Sequence, residues 1–147
     1  MSYHTWTDYG YGIDTDDIIG DVTVERLQKL ISMAPEFNKE VEEYFKTYDI
    51  EDPDLDVYLD CGLIDGFGLA GIIKEVINEL EDVRFSSLND YDGASYLVFE
   101  PRYPWSFCTE KEKNLTMTDV DNIIDKYVSV ITDKGYTIDY KEIPNGG

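Results

Sequence analysis

Lysine and arginine are scarce in this chain of 147 residues. There are 12 of them against 32 aspartates and glutamates, which leaves a net charge of −20. Nucleic acids and anionic membranes attract proteins through basic side chains, so this surplus of acid argues against both as direct partners. It favours basic proteins or cations, and it also keeps a protein in solution. The composition leaves open whether the acidic surface has a function or confers solubility only.

Cysteine and histidine are equally sparse. Cys61 and Cys108 lie far apart and form no C-x-x-C motif, which argues against a zinc or redox site of that type. We expect two free thiols in a reducing cytoplasm. His4 is the only histidine, so every histidine-dependent triad would have to use it. The sequence therefore predicts a non-enzymatic protein with no catalytic residue, cofactor or metal ion.

Long apolar runs are also missing. No stretch approaches the roughly 18 continuous apolar residues of a membrane helix, and the first residues lack the features of a signal peptide. The 42% apolar and 14% aromatic content is nevertheless too high for a disordered acidic tail. We expect a single cytoplasmic globular domain over residues 1–147.

Along the chain, segments with strand-like residue patterns alternate with segments that have helix-like patterns. Residues 3–13 are rich in Thr, Tyr and Trp and predict a strand, while 83–88 and 94–100 predict a hairpin with Asp92-Gly93 at its turn. Residues 136–143 predict a last strand that pairs with the first. Apolar residues on both faces of 96–99 predict that this strand is interior.

Helical periodicity fills the intervening segments. Thr23 is a predicted N-cap, Pro35 restarts the chain, and Thr116 or Thr118 begins a helix that Gly135 is expected to end. Two apolar stripes support the middle helices: Phe37, Val41, Tyr44, Phe45 and Tyr48 in one, and Leu69, Ile72, Ile73, Val76, Ile77 and Leu80 in the other. The order of elements predicts an α+β fold, with an antiparallel sheet of about four strands and three to four helices packed mainly on one face.

A glycine motif precedes the second of these stripes. Gly66, Gly68 and Gly71 in DGFGLAGII match G-x-G-x-x-G, the pattern of a dinucleotide-binding loop. Asp60 interrupts the apolar run before it, and Asp65 stands where a carboxylate would repel a pyrophosphate. The chain also lacks the repeated βαβ units of that fold. These features favour a helix start capped by Asp65.

The chain from Asp49 to Asp65 carries seven acids and no base, and Pro53 and Gly62 predict a loop or a short helical turn there. Asp52, Asp54 and Asp56 resemble the first half of an EF-hand loop. Val57 and Leu63 then replace its glycine and bidentate glutamate, so the run does not make a calcium cage.

These acids combine with others into a predicted partner-binding surface. Glutamates on the helix after Pro35 repeat every three to four residues, about 4.5–6 Å apart along its axis, and with the neighbouring run they would form a line of negative charge. Alternating aromatics in RYPWSF, held by Pro104, are suited to anchor an interface or to cover the sheet. The predicted surface comprises Glu36, Glu40, Glu43, Asp49, Glu51, Asp52, Asp54, Asp56, Asp60, Tyr103, Trp105 and Phe107.

Three short segments carry a resemblance to a known group. SYHTWTDYGYGI, YPWSF and the NLT before the last helix are similar to small acidic proteins of Gram-positive bacteria and their phages. No activity or site residue comes with the resemblance. It implies a setting in which proteins of this size are often inhibitors, including anti-CRISPR proteins and acidic immunity proteins.

The leading hypothesis is an acidic protein that binds and inhibits a basic nucleic-acid-binding protein, a nuclease or a CRISPR effector, by presenting carboxylates where phosphates would sit. It predicts no direct contact with nucleic acid or membrane. One alternative is a small carboxylate-based enzyme, or a nucleotide- or cation-binding domain, that uses residues 65–73. The other is a structural domain whose charge serves solubility only.

Overall fold

The computed structural model describes residues 5–60, 68–90, 93–100, 104–106 and 109–146. These residues form four strands: β1 (Thr5–Asp14), β2 (Ser86–Asn89), β3 (Ser95–Phe99) and β4 (Asp139–Gly146). They also form six α-helices: α1 (Val24–Ser32), α2 (Pro35–Thr47), α3 (Leu55–Asp60), α4 (Leu69–Glu81), α5 (Glu110–Lys113) and α6 (Met117–Ile131). The fold is α+β, as predicted. None of the described helices has both the length and the apolar character needed to cross a bilayer.

The strands form one antiparallel sheet in the order β2-β3-β1-β4. The pairing of the first and last strands is confirmed, with Tyr9 opposite Glu142, and so is the interior position of β3, with Leu97 opposite Ile13. The predicted hairpin joins β2 to β3. Its Gly93 has a φ of 92°, whereas Asp92 lies outside the described residues.

Two glycines in β1 allow the strands to approach each other unusually closely. A Cβ on Gly12 would lie 1.9 Å from the carbonyl oxygen of Leu97, and one on Gly10 would lie 2.5 Å from the Cβ of Val98. The side chain of Asn145 in β4 donates a hydrogen bond of 3.0 Å to the carbonyl of Asn89 in β2. These two strands are the opposite edges of the sheet, so the sheet curls far enough to bring its edges together at this point. The YGYG sequence therefore serves close packing between strands.

The main core lies between the sheet and the helices. α4 packs on β2 and β3, α6 packs on β1, and α1 contacts both of these helices as well as α2. The two predicted apolar stripes supply much of this core. The stripe of α4 is buried from Leu69 to Ile77, and Leu80 at its end is 39% exposed. The stripe of α2 is buried only at Phe37 and Val41; Tyr44 and Phe45 are half-buried and Tyr48 is 64% exposed.

The last helix begins as predicted and ends earlier. Thr116 forms a capping box with Asp119. The expectation that Gly135 ends the helix was wrong, because α6 stops at Ile131 and Thr132 is already extended. The Asp21 carboxylate accepts hydrogen bonds of 2.9 Å from both the Thr132 hydroxyl and the next amide, so a side-chain contact ends the helix.

Glu81, at the C-terminal end of α4, ties three helices together. Its carboxylate accepts hydrogen bonds from the Tyr127 hydroxyl and the Lys126 ammonium of α6 and from the Lys111 ammonium of α5. Burial raises the pKa of the Glu81 carboxyl, but these hydrogen bonds outweigh burial and lower the pKa to about 2. Burial and the bond to Glu81 together raise the pKa of the Tyr127 hydroxyl.

This arrangement predicts a pH dependence of stability. A carboxyl whose pKa is lowered by folding stabilises the native state fully above its unfolded value of 4.5, and the contribution is lost as the pH falls through about 2. The shift corresponds to about 3 kcal/mol, which we reduce to about 2 kcal/mol because both lysines are half exposed. We expect the difference in unfolding free energy between the wild type and Glu81→Gln to shrink by this amount from about pH 5 to about pH 2 in urea denaturation. A difference that does not change with pH would contradict this role of Glu81.

Candidate partner-binding surface

The acidic segment, residues 49–60, begins where α2 ends in a left-handed turn. The amide of Ile50 donates to the carbonyl of Phe45 over 2.8 Å, and the amide of Asp49 donates to that of Lys46 over 3.4 Å. These two bonds make a Schellman motif, in which glycine normally takes the left-handed position. Asp49 occupies it here with a φ of 52°. Its carboxylate also lies at the negative end of the helix dipole, so aspartate at this position costs stability in two ways.

Replacing Asp49 should therefore stabilise the protein. We expect Asp49→Gly to raise the unfolding free energy by about 0.5–1 kcal/mol, because it relieves the left-handed strain and removes the unfavourable charge. Asp49→Asn removes only the charge and should give about half of that gain. Urea denaturation at low ionic strength measures the stability of both variants. A loss of stability in Asp49→Gly would show that Asp49 does not occupy a strained left-handed position.

The rest of the acidic segment is held against α2 by α3. The Asp54 carboxylate caps α3 by accepting a hydrogen bond of 3.0 Å from the amide of Val57. Tyr58 is buried and meets Phe45 of α2 edge to face, with ring centroids 5.1 Å apart. Its hydroxyl accepts a hydrogen bond of 3.1 Å from the Gln28 side chain of α1. Within the predicted loop or short helical turn of residues 49–65, residues 55–60 thus form a six-residue helix beside α2, and residues 61–65 lie outside the described part of the chain.

The carboxylates of the acidic segment project into solvent. Asp49, Glu51, Asp52 and Asp56 are all exposed. Among the described residues, none of the four forms an ion pair with lysine or arginine. Basic side chains that do pair with carboxylates lie elsewhere: Arg26, Lys74, Arg84, Lys111, Lys113, Lys126 and Lys141. Within the described part of the chain, no neighbouring cation therefore neutralises the negative charge of these four residues. The side chain of Asp60 lies outside the described part of the chain.

The predicted row on α2 is less uniform than the sequence pattern suggested. Glu36, Glu40 and Glu43 are exposed, and together with Pro35 they line a shallow depression. Lys39 lines the same depression. This lysine offsets one of the three carboxylates, so the acidic segment has the higher density of negative charge.

The N-terminal end of α2 is fixed by a carboxylate from another helix. Both side-chain oxygens of Glu79 in α4 accept backbone hydrogen bonds, of 3.1 Å from the Glu36 amide and 2.8 Å from the Phe37 amide. A negative charge at this end of a helix is stabilising. Contacts at both ends thus hold α2 in place, and the acidic segment that follows α2 is held with it.

Of the three aromatic residues predicted to anchor an interface, Tyr103, Trp105 and Phe107, the structure describes Trp105. Trp105 lies in a short 3-10 helix, Pro104–Ser106, and is 79% exposed. The carbonyl of Ser106 accepts a hydrogen bond from the Arg84 guanidinium, which ties this segment to the chain before β2. Tyr103 and Phe107 lie outside the described residues, as do His4, Cys61 and Cys108.

The glycine motif is described from Gly68 onward. Gly68 has a φ of 93° and precedes α4, whose first three residues, Leu69, Ala70 and Gly71, are buried. A phosphate needs open access to the first amides of a helix, so this burial favours the interpretation as a helix start. The prediction that Asp65 occupies the N-cap position was wrong, because α4 begins at Leu69 and Gly68 holds that position. Asp65 and Gly66 themselves lie outside the described residues. Within the described residues, no group of three or more His, Cys, Asp or Glu side chains is arranged to hold a metal ion.

A groove that no pattern in the sequence predicted lies beside the acidic segment. It has a volume of about 300 Å³ and opens between α1, α2 and α3. Its floor consists of Ile31, Val41, Phe45 and Tyr58, three of which are buried. The i, i+4 spacing of Val41 and Phe45 indicated an apolar face on α2, but only the position of α3 leaves part of that face open.

No protein-family model matches the sequence, and no curated protein or solved structure is significantly similar to the chain.

Proposed function

We propose that this protein binds a basic nucleic-acid-binding protein, a nuclease or a CRISPR effector, and inhibits it. In this mechanism the exposed carboxylates of the acidic segment occupy the site where the partner would otherwise hold phosphates. The observation that supports the proposal is the group of four exposed carboxylates, Asp49, Glu51, Asp52 and Asp56, with no cationic partner among the described residues.

Asp49 adds support because its identity runs against local stability. Glycine would fit the left-handed position better, and a neutral or basic residue would suit the end of α2. Residues that cost stability are often retained for function. A binding role for its carboxylate would account for aspartate here.

The net charge of −20 would act at longer range than these contacts. A strongly negative protein attracts a basic groove before contact and raises the association rate at low salt. The same charge repels DNA and RNA, so the protein would enter the partner's groove without itself binding the partner's nucleic-acid substrate. Binding should weaken as salt is raised, because the attraction is screened.

Affinity capture tests the proposal. The protein is immobilised on one resin and a variant with Glu51, Asp52 and Asp56 changed to lysine on a second, and a host lysate is passed over both at low salt. We expect the wild-type resin alone to retain a basic nucleic-acid-binding protein, which a DNA or RNA duplex then elutes. Equal retention on both resins, or retained proteins that a duplex does not elute, would contradict the proposal and favour a charge that serves solubility only.

A further inference from the structure

The polar rim of the groove between α1, α2 and α3 has a composition suited to a cation. Glu42 is exposed on one side of it, with Asn38 one turn earlier on α2 and Gln28 and Ser32 on α1. The Asn38 amide donates to one carboxylate oxygen of Glu42 over 3.4 Å, a long bond that leaves most of the carboxylate's hydrogen-bonding capacity available. The lining of the groove thus combines one carboxylate with apolar and aromatic side chains.

We propose that this groove holds an arginine side chain of the basic partner, an inference that rests on the proposed function. The methylene stem of arginine would lie on Ile31 and Val41, and its guanidinium would bind Glu42 and the neighbouring side-chain oxygens. Arginine combines an apolar stem with a planar, weakly hydrated cation that stacks on aromatic rings, as Phe45 and Tyr58 would permit.

Charge, hydration and planar shape together favour arginine over the other occupants. Lysine carries the same charge, but its compact ammonium is strongly hydrated and makes no planar contact with a ring or a carboxylate. An aliphatic side chain would leave Glu42 without a cation. A second copy of this protein would bring a further net charge of −20 to the contact, and the resulting repulsion opposes self-association.

The groove would give the interface a buried contact, which the exposed carboxylates of the acidic segment do not provide. Exposed charges steer partners and add little affinity each, whereas a side chain buried in a pocket is the usual source of strong binding. Because Tyr58 belongs to α3, the groove and the acidic segment share an element and would face the same partner. An arginine that otherwise contacts phosphate would be the residue captured.

Binding of a small probe tests the inference without any partner protein. N-acetyl-arginine amide is titrated into the ¹⁵N-labelled protein, and the side-chain amide signals of Asn38 and Gln28 are followed by NMR. N-acetyl-citrulline amide, N-acetyl-lysine amide and N-acetyl-leucine amide serve as matched probes. We expect saturable shifts with arginine, with a dissociation constant on the order of 1 mM, and at least fivefold weaker binding of the other three.

Two variants locate the site. Glu42→Gln should weaken arginine binding at least fivefold, while Glu142→Gln, which removes an exposed carboxylate on β4, should leave it unchanged. Absent or unsaturable shifts, equal shifts with lysine or leucine, or equal effects of the two variants would overturn the arginine site. Partner capture without arginine binding would overturn this inference alone, and arginine binding without capture would overturn the proposed function alone.

Discussion

Gly12→Ala is expected to remove a large share of the stability of the fold. The added Cβ would lie 1.9 Å from the Leu97 carbonyl oxygen and 2.8 Å from the Val98 Cα, and both are backbone atoms of the paired strand. Side chains can rotate away from such a contact, but here β1 and β3 would have to separate in the middle of the sheet. We expect a loss of at least about 4 kcal/mol, which is a large share of the stability of a domain of this size.

Gly135→Ala is the matched control, because its added Cβ would meet no atom within 4 Å. Urea denaturation followed by circular dichroism compares both variants with the wild type. We expect the control to stay within about 0.5 kcal/mol of the wild type. A Gly12→Ala protein with wild-type stability would show that the strands are not paired in this register.

Reversing the charge of the acidic segment is the second change with a large expected effect. The variant replaces Glu51, Asp52 and Asp56 by lysine and retains Asp49 and Asp54, which have roles in the backbone turn and the α3 cap. We expect its affinity for the captured partner to fall about 100-fold, since each of the three charge reversals costs about 1 kcal/mol and every 1.4 kcal/mol is tenfold. Unfolding free energy should change little, because all three side chains are exposed.

A control with the same net charge separates a local effect from a global one. It replaces Asp17, Glu25 and Glu142 by lysine, which are exposed on other elements. We expect this control to lose less than fivefold in affinity at about 0.15 M salt, where the screening length is about 8 Å. Equal losses in the two triple variants would show that only total charge matters.

Much of the fold could be read from periodicity and capping residues. The apolar stripes predicted α2 and α4, Thr116 was one of two predicted caps for the start of α6, and the alternating strands predicted an antiparallel sheet. These signals are local, because a face that must be buried repeats along the chain with the period of its element. Gly135 misled the prediction of the end of α6, since the contact of Thr132 with Asp21 spans 111 residues and leaves no local pattern.

The candidate site was predictable in part for the same reason. The base-free run of acids is visible in the sequence, whereas the left-handed turn at Asp49 depends on bonds made at the end of α2. The mixed sign of the α2 row follows from Lys39, whose spacing from Glu36 and Glu43 is visible in the sequence. The groove depends on how three helices pack, which no spacing along one of them reveals.

Competition for the partner tests the central claim most directly. A fluorescent duplex of the partner's own nucleic acid is bound to the purified partner, and its anisotropy is followed as this protein is added. We predict complete displacement near one equivalent, and no displacement at that ratio by the variant with Glu51, Asp52 and Asp56 reversed to lysine. A stable ternary complex, in which the duplex stays bound with unchanged affinity, would contradict the claim that these carboxylates take the place of phosphates.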